Sequence, residues 1–178
     1  MKKRKAVLVI DMQQAILHEG PWQEERLVSC IEKVVLAARE MDFPIIYIRH
    51  NEPVGEPLEP HTQGWEIDAR IAPRAHDTII DKHYNSAFKK TPLRAHLMNL
   101  GVEHLIVMGL QTEYCIDATI KSAFDLDYDV IIPIEGHSTV DQPMISAQNL
   151  HQLYSERLWN GRYARVVSTE EVLHYILD

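Results

Sequence analysis

The sequence predicts an α/β protein: a three-layer α/β/α sandwich of the doubly wound kind, with helices on both faces of a mostly parallel six-stranded sheet. Two observations carry this reading. Six short apolar runs recur: AVLVI at 6–10, IIYIR at 45–49, TIID at 78–81, HLIVMG at 104–109, DVIIPI at 129–134 and ARVV at 164–167. They are nearly continuous rather than alternating, as strands buried on both faces are. Helical patterns separate most of them, and strands alternating with helices place parallel strands side by side beneath helices on either face. At 178 residues, 46% hydrophobic and 25% charged, the chain has the size of one domain, 1–178, with room for a sizeable core.

Between the first two strands, 23–41 carries Leu27, Cys30, Ile31, Val34, Val35 and Ala38 at i, i+3, i+4 spacing, one buried helical face on which Cys30 is a packing residue. The stretch 50–77 holds Pro53, Pro57, Pro60, Pro73, Gly55 and Gly64 and has no period; a loop this long is read as a pocket lid or partner-facing arm. Thr91 and Pro92 read as an N-cap and first-turn proline for a helix to Leu100, with Gly101 at its exit. Ser168 and Glu171 have capping-box spacing for a last short helix.

Charge excludes some functions. A formal net charge of -8 argues against nucleic acid and against anionic membrane surfaces, which are bound through clustered Lys and Arg. The one basic block, Lys2 to Lys5, reads as a solubilising tail. No apolar run approaches the roughly 18–20 residues that span a bilayer, and the run after MKKRK is too short for a signal-peptide core, so a cytoplasmic protein is expected. Two cysteines without framework spacing, Cys30 and Cys115, suit free thiols rather than a structural bridge.

In open parallel sheets ligands collect outside the carboxyl ends of the strands. The polar residues there are Asp11 after the first run, His50 after the second, Lys82 after the third and the 109–115 segment, ending at Cys115, after the fourth. Each has a bland reading alone: Asp11 as a helix cap, Lys82 as a surface charge, Cys115 as a small core residue. Together they describe a nucleophile with an activating pair. With Thr112 as N-cap, Cys115 falls in a first helical turn, where free backbone N–H groups and the helix dipole favour a thiolate. An ammonium from Lys82 would lower its pKa further, and Asp11 could take and return the proton. The same turn offers N–H donors to an oxyanion, which suits acyl transfer.

Three ordered motifs, VLVIDMQ at 7–13, IIDKHYNSAFKKTPL at 79–93 and VMGLQTEYCIDATIKSAF at 107–124, together with STVD at 138–141, resemble the isochorismatase-like cysteine hydrolases over essentially the whole chain. The resemblance implies a Rossmann-like sheet and a catalytic triad of Asp11, Lys82 and Cys115. It also implies a non-proline cis peptide between Leu110 and Gln111, with the N–H groups of Gln111 and Cys115 facing one oxyanion. Members that keep the cysteine resemble nicotinamidases, carbamoyl-amine hydrolases and ureido hydrolases. The reaction so implied is cleavage of a C–N bond in a small amide, carbamoyl or ureido compound through a thioester, with no cofactor and a homo-oligomer, dimer or tetramer.

Departures bear on the substrate. Nicotinamidases carry a D-x-H metal motif with a second histidine after the second strand; here the stretch reads His50, Asn51, Glu52, with His61 further on. That set has ligand chemistry for a divalent ion, but no metal is expected, and without one a pyridine nitrogen loses its anchor. Glu135-Gly136 replaces the Asp-Ala of many relatives. Gln111 is expected to hydrogen-bond a second amide or ureido group of the substrate, or alternatively the lid. His50, Trp65, Tyr84 and Phe88 complete the pocket candidates, Trp65 alternatively packing the loop and Phe88 the core. Two other functions compete: a catalytically silent binding member of the same fold, and a thiol peroxidase, for which the expected proline seven residues before the cysteine is Met108.

Overall fold

The computed structural model describes residues 4–177, so Lys2 and Lys3 of the basic block lie outside the described residues. The chain runs β1 (Arg4–Ile10), α1 (Gln14–Leu17), α2 (Glu24–Glu40), β2 (Ile45–His50), β3 (Thr78–Lys82), α3 (Leu93–Asn99), β4 (Val102–Leu110), α4 (Asp117–Asp125), β5 (Asp129–Pro133), β6 (His137–Ser138), α5 (Ala147–Gln152), β7 (Arg165–Val167) and α6 (Thr169–Leu177). All strand pairings are parallel, in the order β3-β2-β1-β4-β5-β7. The six predicted strands are all present. A seventh, β6, pairs with β4 through only two residues, too short and too polar to show as an apolar run.

Successive residues of each strand feed opposite layers, because side chains alternate across a sheet. Leu8, Ile10, Ile46, Ile48, Leu105 and Val107 pack with Leu93 and Leu97 of α3, Ile116, Ile120 of α4, and Trp159. Val7, Val9, Ile45, Tyr47, Ile106 and Met108 pack with Leu27, Ile31, Val34 and Val35 of α2 and with Val172 and Ile176 of α6. Burial on both faces explains the uninterrupted apolar runs. At the centre, Gly109 has φ +130 and faces Ile10 across the β1–β4 register; a Cβ there would lie 2.0 Å from the Ile10 carbonyl oxygen. Only glycine lets these two strands meet at the site.

The capping box forms as expected: the Ser168 N–H donates to Glu171 Oε2 at 3.0 Å, and the Glu171 N–H to Ser168 Oγ at 3.2 Å. At the other predicted cap the helix begins one residue later, at Leu93, with Pro92 at the cap position; Thr91 Oγ1 still accepts from the Leu93 N–H at 3.3 Å. Glu135 acquires a role that its sequence position did not show. It accepts from Arg26 at 2.8 Å and from the Thr169 N–H and hydroxyl at 2.9 and 2.7 Å, tying the turn after β5 to α2 and α6. A Cβ at Gly136 would meet Pro133 at 2.5 Å, so the neighbouring alanine of relatives has no room here. Among the described residues no helix is long and apolar enough to cross a membrane.

Candidate active site

Strand register builds the site. Ile10 pairs with Gly109, and His50 of β2 pairs directly with Lys82 of β3, so the residues at the carboxyl ends of four adjacent strands converge. Asp11 turns out of β1 at φ +51, a left-handed conformation that aspartate tolerates better than most residues. Lys82 shares the inward face of β3 with Ile80, which buries a chain of four methylenes and delivers the ammonium to the centre.

Lys82 Nζ lies 2.7 Å from Asp11 Oδ2, 2.9 Å from His50 Nδ1 and 3.2 Å from Cys115 Sγ. Lys82 and Asp11 are each 1% exposed. Asp11 Oδ1 is buried and has no hydrogen-bond partner. The four side chains predicted at the strand ends are thus brought together.

Electrostatics differ from expectation at the thiol. Burial, followed by the charge of Asp11, pushes the Cys115 thiol well above its ordinary value, against the opposing pull of Lys82. A first-turn dipole and one lysine do not offset the loss of water around a thiolate beside a carboxylate. Burial also opposes the charge on Lys82, but Asp11 and Cys115 outweigh it and hold the ammonium above its ordinary value. His50 is lowered, by burial and then by Lys82.

The turn that carries Cys115 is a π-helical one, Thr112–Ile116, and the peptide between Leu110 and Gln111 is cis, as the resemblance implies. Thr112 is not the helix cap. Its hydroxyl is drawn instead into a buried chain, 2.9 Å from His137 Nδ1, while His137 Nε2 lies 2.9 Å from Ser155 Oγ. Ser155 donates its proton to the His151 carbonyl at 2.7 Å, so it accepts from His137 Nε2–H, and His137 Nδ1 accepts from Thr112. His151 stacks on His137 with ring centroids 4.1 Å apart.

Four pocket candidates have other partners. Gln111 Nε2 donates to Glu19 at 2.8 Å rather than facing an empty site. Trp65 is 5% exposed, donates to Asn51 at 2.6 Å and is covered by the Arg49 guanidinium 3.4 Å from its ring centre, so it packs the loop down. Phe88 stacks on Tyr128 against the core. Tyr84 lies under Lys89, 4.3 Å from its ring centre. Trp65 and Phe88 thus take the packing alternatives, while Gln111 and Tyr84 have side-chain partners that the motifs alone did not show.

Two residues were missed. Gln13, the last residue of the first motif, is fully buried and clamps the loop: it bonds the His50 carbonyl and N–H at 2.9 and 2.8 Å and the Trp65 carbonyl at 2.9 Å. A glutamine three residues past a buried strand was the available signal. Asn85 places Oδ1 4.0 Å from Cys115 Sγ.

The possible metal set does not converge: Glu52 accepts from the Leu58 N–H at 3.0 Å and His61 leans on Trp65. Among the described residues, the His, Cys, Asp or Glu grouping with ligand atoms within 4.8 Å of one another is Asp11, His50 and Cys115. The Lys82 ammonium is bonded to all three, so a cation already occupies their centre.

A parallel α/β sheet that gathers a carboxylate, an ammonium and a thiol at its strand ends defines a class, the isochorismatase-like hydrolases. Residues 5–171 match the model of the Isochorismatase domain, and the chain belongs to that family. It is 29% identical to a streptothricin hydrolase of Streptomyces noursei over 78% of this chain, a match that spans 56% of that enzyme. It is 30% identical to a protein of Arabidopsis thaliana named probable inactive nicotinamidase, over 83% of this chain and 87% of that one. The crystal structure of a cysteine hydrolase from Pseudomonas syringae superposes with a TM-score of 0.91 at 26% identity, covering 98% of this chain and 92% of that one.

Proposed function

We propose that this hydrolase cleaves the C–N bond of a small amide, carbamoyl or ureido compound through a thioester on Cys115. The observation that carries the reading is the Lys82 ammonium held between Asp11 and Cys115, with Asp11 Oδ1 left free. The thiol rests protonated. As sulfur attacks the carbonyl carbon, its proton passes to Asp11, and Lys82 balances the negative charge that appears on sulfur. The N–H groups of Gln111 and Cys115 are the expected donors to the tetrahedral oxyanion. Asp11 then protonates the departing ammonia or amine, the thioester remains, and water activated by Asp11 releases the acid and restores the thiol.

Incubation with a panel of small amides and ureido compounds, followed by mass spectrometry, tests this. A thioester adduct on Cys115 that a Cys115→Ser variant does not form supports the mechanism; turnover that survives in that variant rejects it. A silent, metabolite-binding protein is the second reading, favoured by the similarity to the relative named as inactive. Binding without adduct or product across the panel would select it.

A further inference from the structure

We propose that His50 is a positioning residue that fixes the Lys82 ammonium on Cys115 and Asp11, and that it does so as the neutral imidazole with its proton on Nε2. An ammonium has three N–H donors and no acceptor. Lys82 spends them on Asp11 Oδ2 at 2.7 Å, His50 Nδ1 at 2.9 Å and Cys115 Sγ at 3.2 Å, so its donors are saturated and its rotation about the Cε–Nζ bond is fixed. A proton on Nδ1 would set two donors head to head at 2.9 Å. Nδ1 is therefore bare, and the imidazole proton sits on Nε2.

The surroundings are built for this contact. His50 and Lys82 are register partners on neighbouring strands, and the Asn51 N–H donates to the Lys82 carbonyl at 2.8 Å. Gln13 grips both backbone groups of His50. Lys82 from the end of β3 and His83 just after it, Asp11 after the end of β1, Glu52 on its own loop and Cys115 from the turn after β4 are the titratable groups around the ring. Protonation of the ring would remove the acceptor and put a second cation beside Lys82. Without His50, the third donor is free to swing the ammonium off sulfur.

The consequence for turnover rests on the hydrolase reading, but the contact can be tested without substrate. Alkylation of Cys115 by iodoacetamide, located by mass spectrometry so that Cys30 is counted separately, reports the thiolate directly. His50→Ala is expected to slow it about tenfold near neutral pH, the worth of one hydrogen bond to a charged group, and to move its pH profile upward. His50→Asn, whose amide oxygen can stand near the place of Nδ1, should recover most of the rate. Nitrogen NMR of the wild-type protein should find Nδ1 unprotonated and Nε2 protonated, a readout that needs no variant to fold. Wild-type alkylation in a folded His50→Ala protein, no recovery in a folded His50→Asn protein, or a proton on Nδ1 would each overturn the proposal. Loss of the thioester experiment alone would reject the hydrolase reading and leave this one standing.

Discussion

Two histidines, His50 partly buried and His137 fully buried, flank the turn that carries Cys115, and both accept a hydrogen bond through Nδ1. His50 accepts from an ammonium that also holds a carboxylate and a thiol; His137 accepts from a threonine in a chain of neutral hydroxyls. On the His50 side an ionised pair is buried at a cost that its mutual contact and hydrogen bonds must offset. On the His137 side each proton of the chain from Thr112 through His137 and Ser155 goes to an uncharged acceptor. The difference teaches where chemistry and support divide: one flank holds groups whose protonation can change during reaction, and the other fixes the backbone that presents the sulfur.

The largest effect should fall on the charged flank. Cys115→Ala removes one sulfur and leaves Asp11 and Lys82 paired, so we expect hydrolysis of any substrate found by the panel to fall at least about 10³-fold, some 4 kcal/mol of barrier. Thermal unfolding should change little. On the neutral flank the outcome should reverse. Ser155→Ala strands the His137 Nε2–H in a fully buried place, which costs about 1–3 kcal/mol, or several degrees in melting temperature, while kcat stays within a few-fold of wild type. A Ser155→Ala protein that melts normally but has lost kcat would dissolve the division.

Acid separates the flanks next. His137 lies well below its ordinary value of 6.5, from burial and then from His151; His50 and His151 are lowered too, each chiefly by burial. A histidine lowered in the folded state binds its proton more readily when unfolded. Its contribution is therefore whole above 6.5 and shrinks as pH falls below that value towards the folded one, by up to about 1.4 kcal/mol per pH unit for each group. Melting temperatures measured downward from neutral pH should fall, and His137→Asn should show a shallower slope than wild type. An equal slope would mean that His137 does not carry its share.

What could be read in advance obeys the same division. Asp11 and Lys82 directly follow apolar runs and Cys115 sits in the turn just after the fourth, and strand-end position is a local property, so sequence located them. The thiol's protonation was misjudged because it depends on burial and on Asp11, about a hundred residues away. Thr112 looked like a cap because its neighbours are helical; its true partner is His137, on a strand of two residues. Cys30 is buried and Cys115 partly buried, and each packs against a core layer. Cys30, raised to about 11 chiefly by burial, meets Thr169, whose proton goes to Glu135, whereas Cys115 meets an ammonium. No local pattern encodes that difference.

Gln111 sharpens the boundary with the smallest effect. It follows the last residue of β4 and precedes Thr112, and its side chain reaches outward to the exposed Glu19 rather than to either flank. A solvent-exposed amide–carboxylate bond contributes little, so Gln111→Ala should alter stability by less than about 0.5 kcal/mol. Its backbone N–H is retained in the variant, so kcat should hold. If the side chain exchanges Glu19 for a second amide of the substrate, KM should rise several-fold with kcat unchanged, the signature of binding felt equally in ground and transition states. A fall in kcat with KM constant would instead assign the Gln111 side chain to the reacting centre, and the charged flank would then extend across the turn.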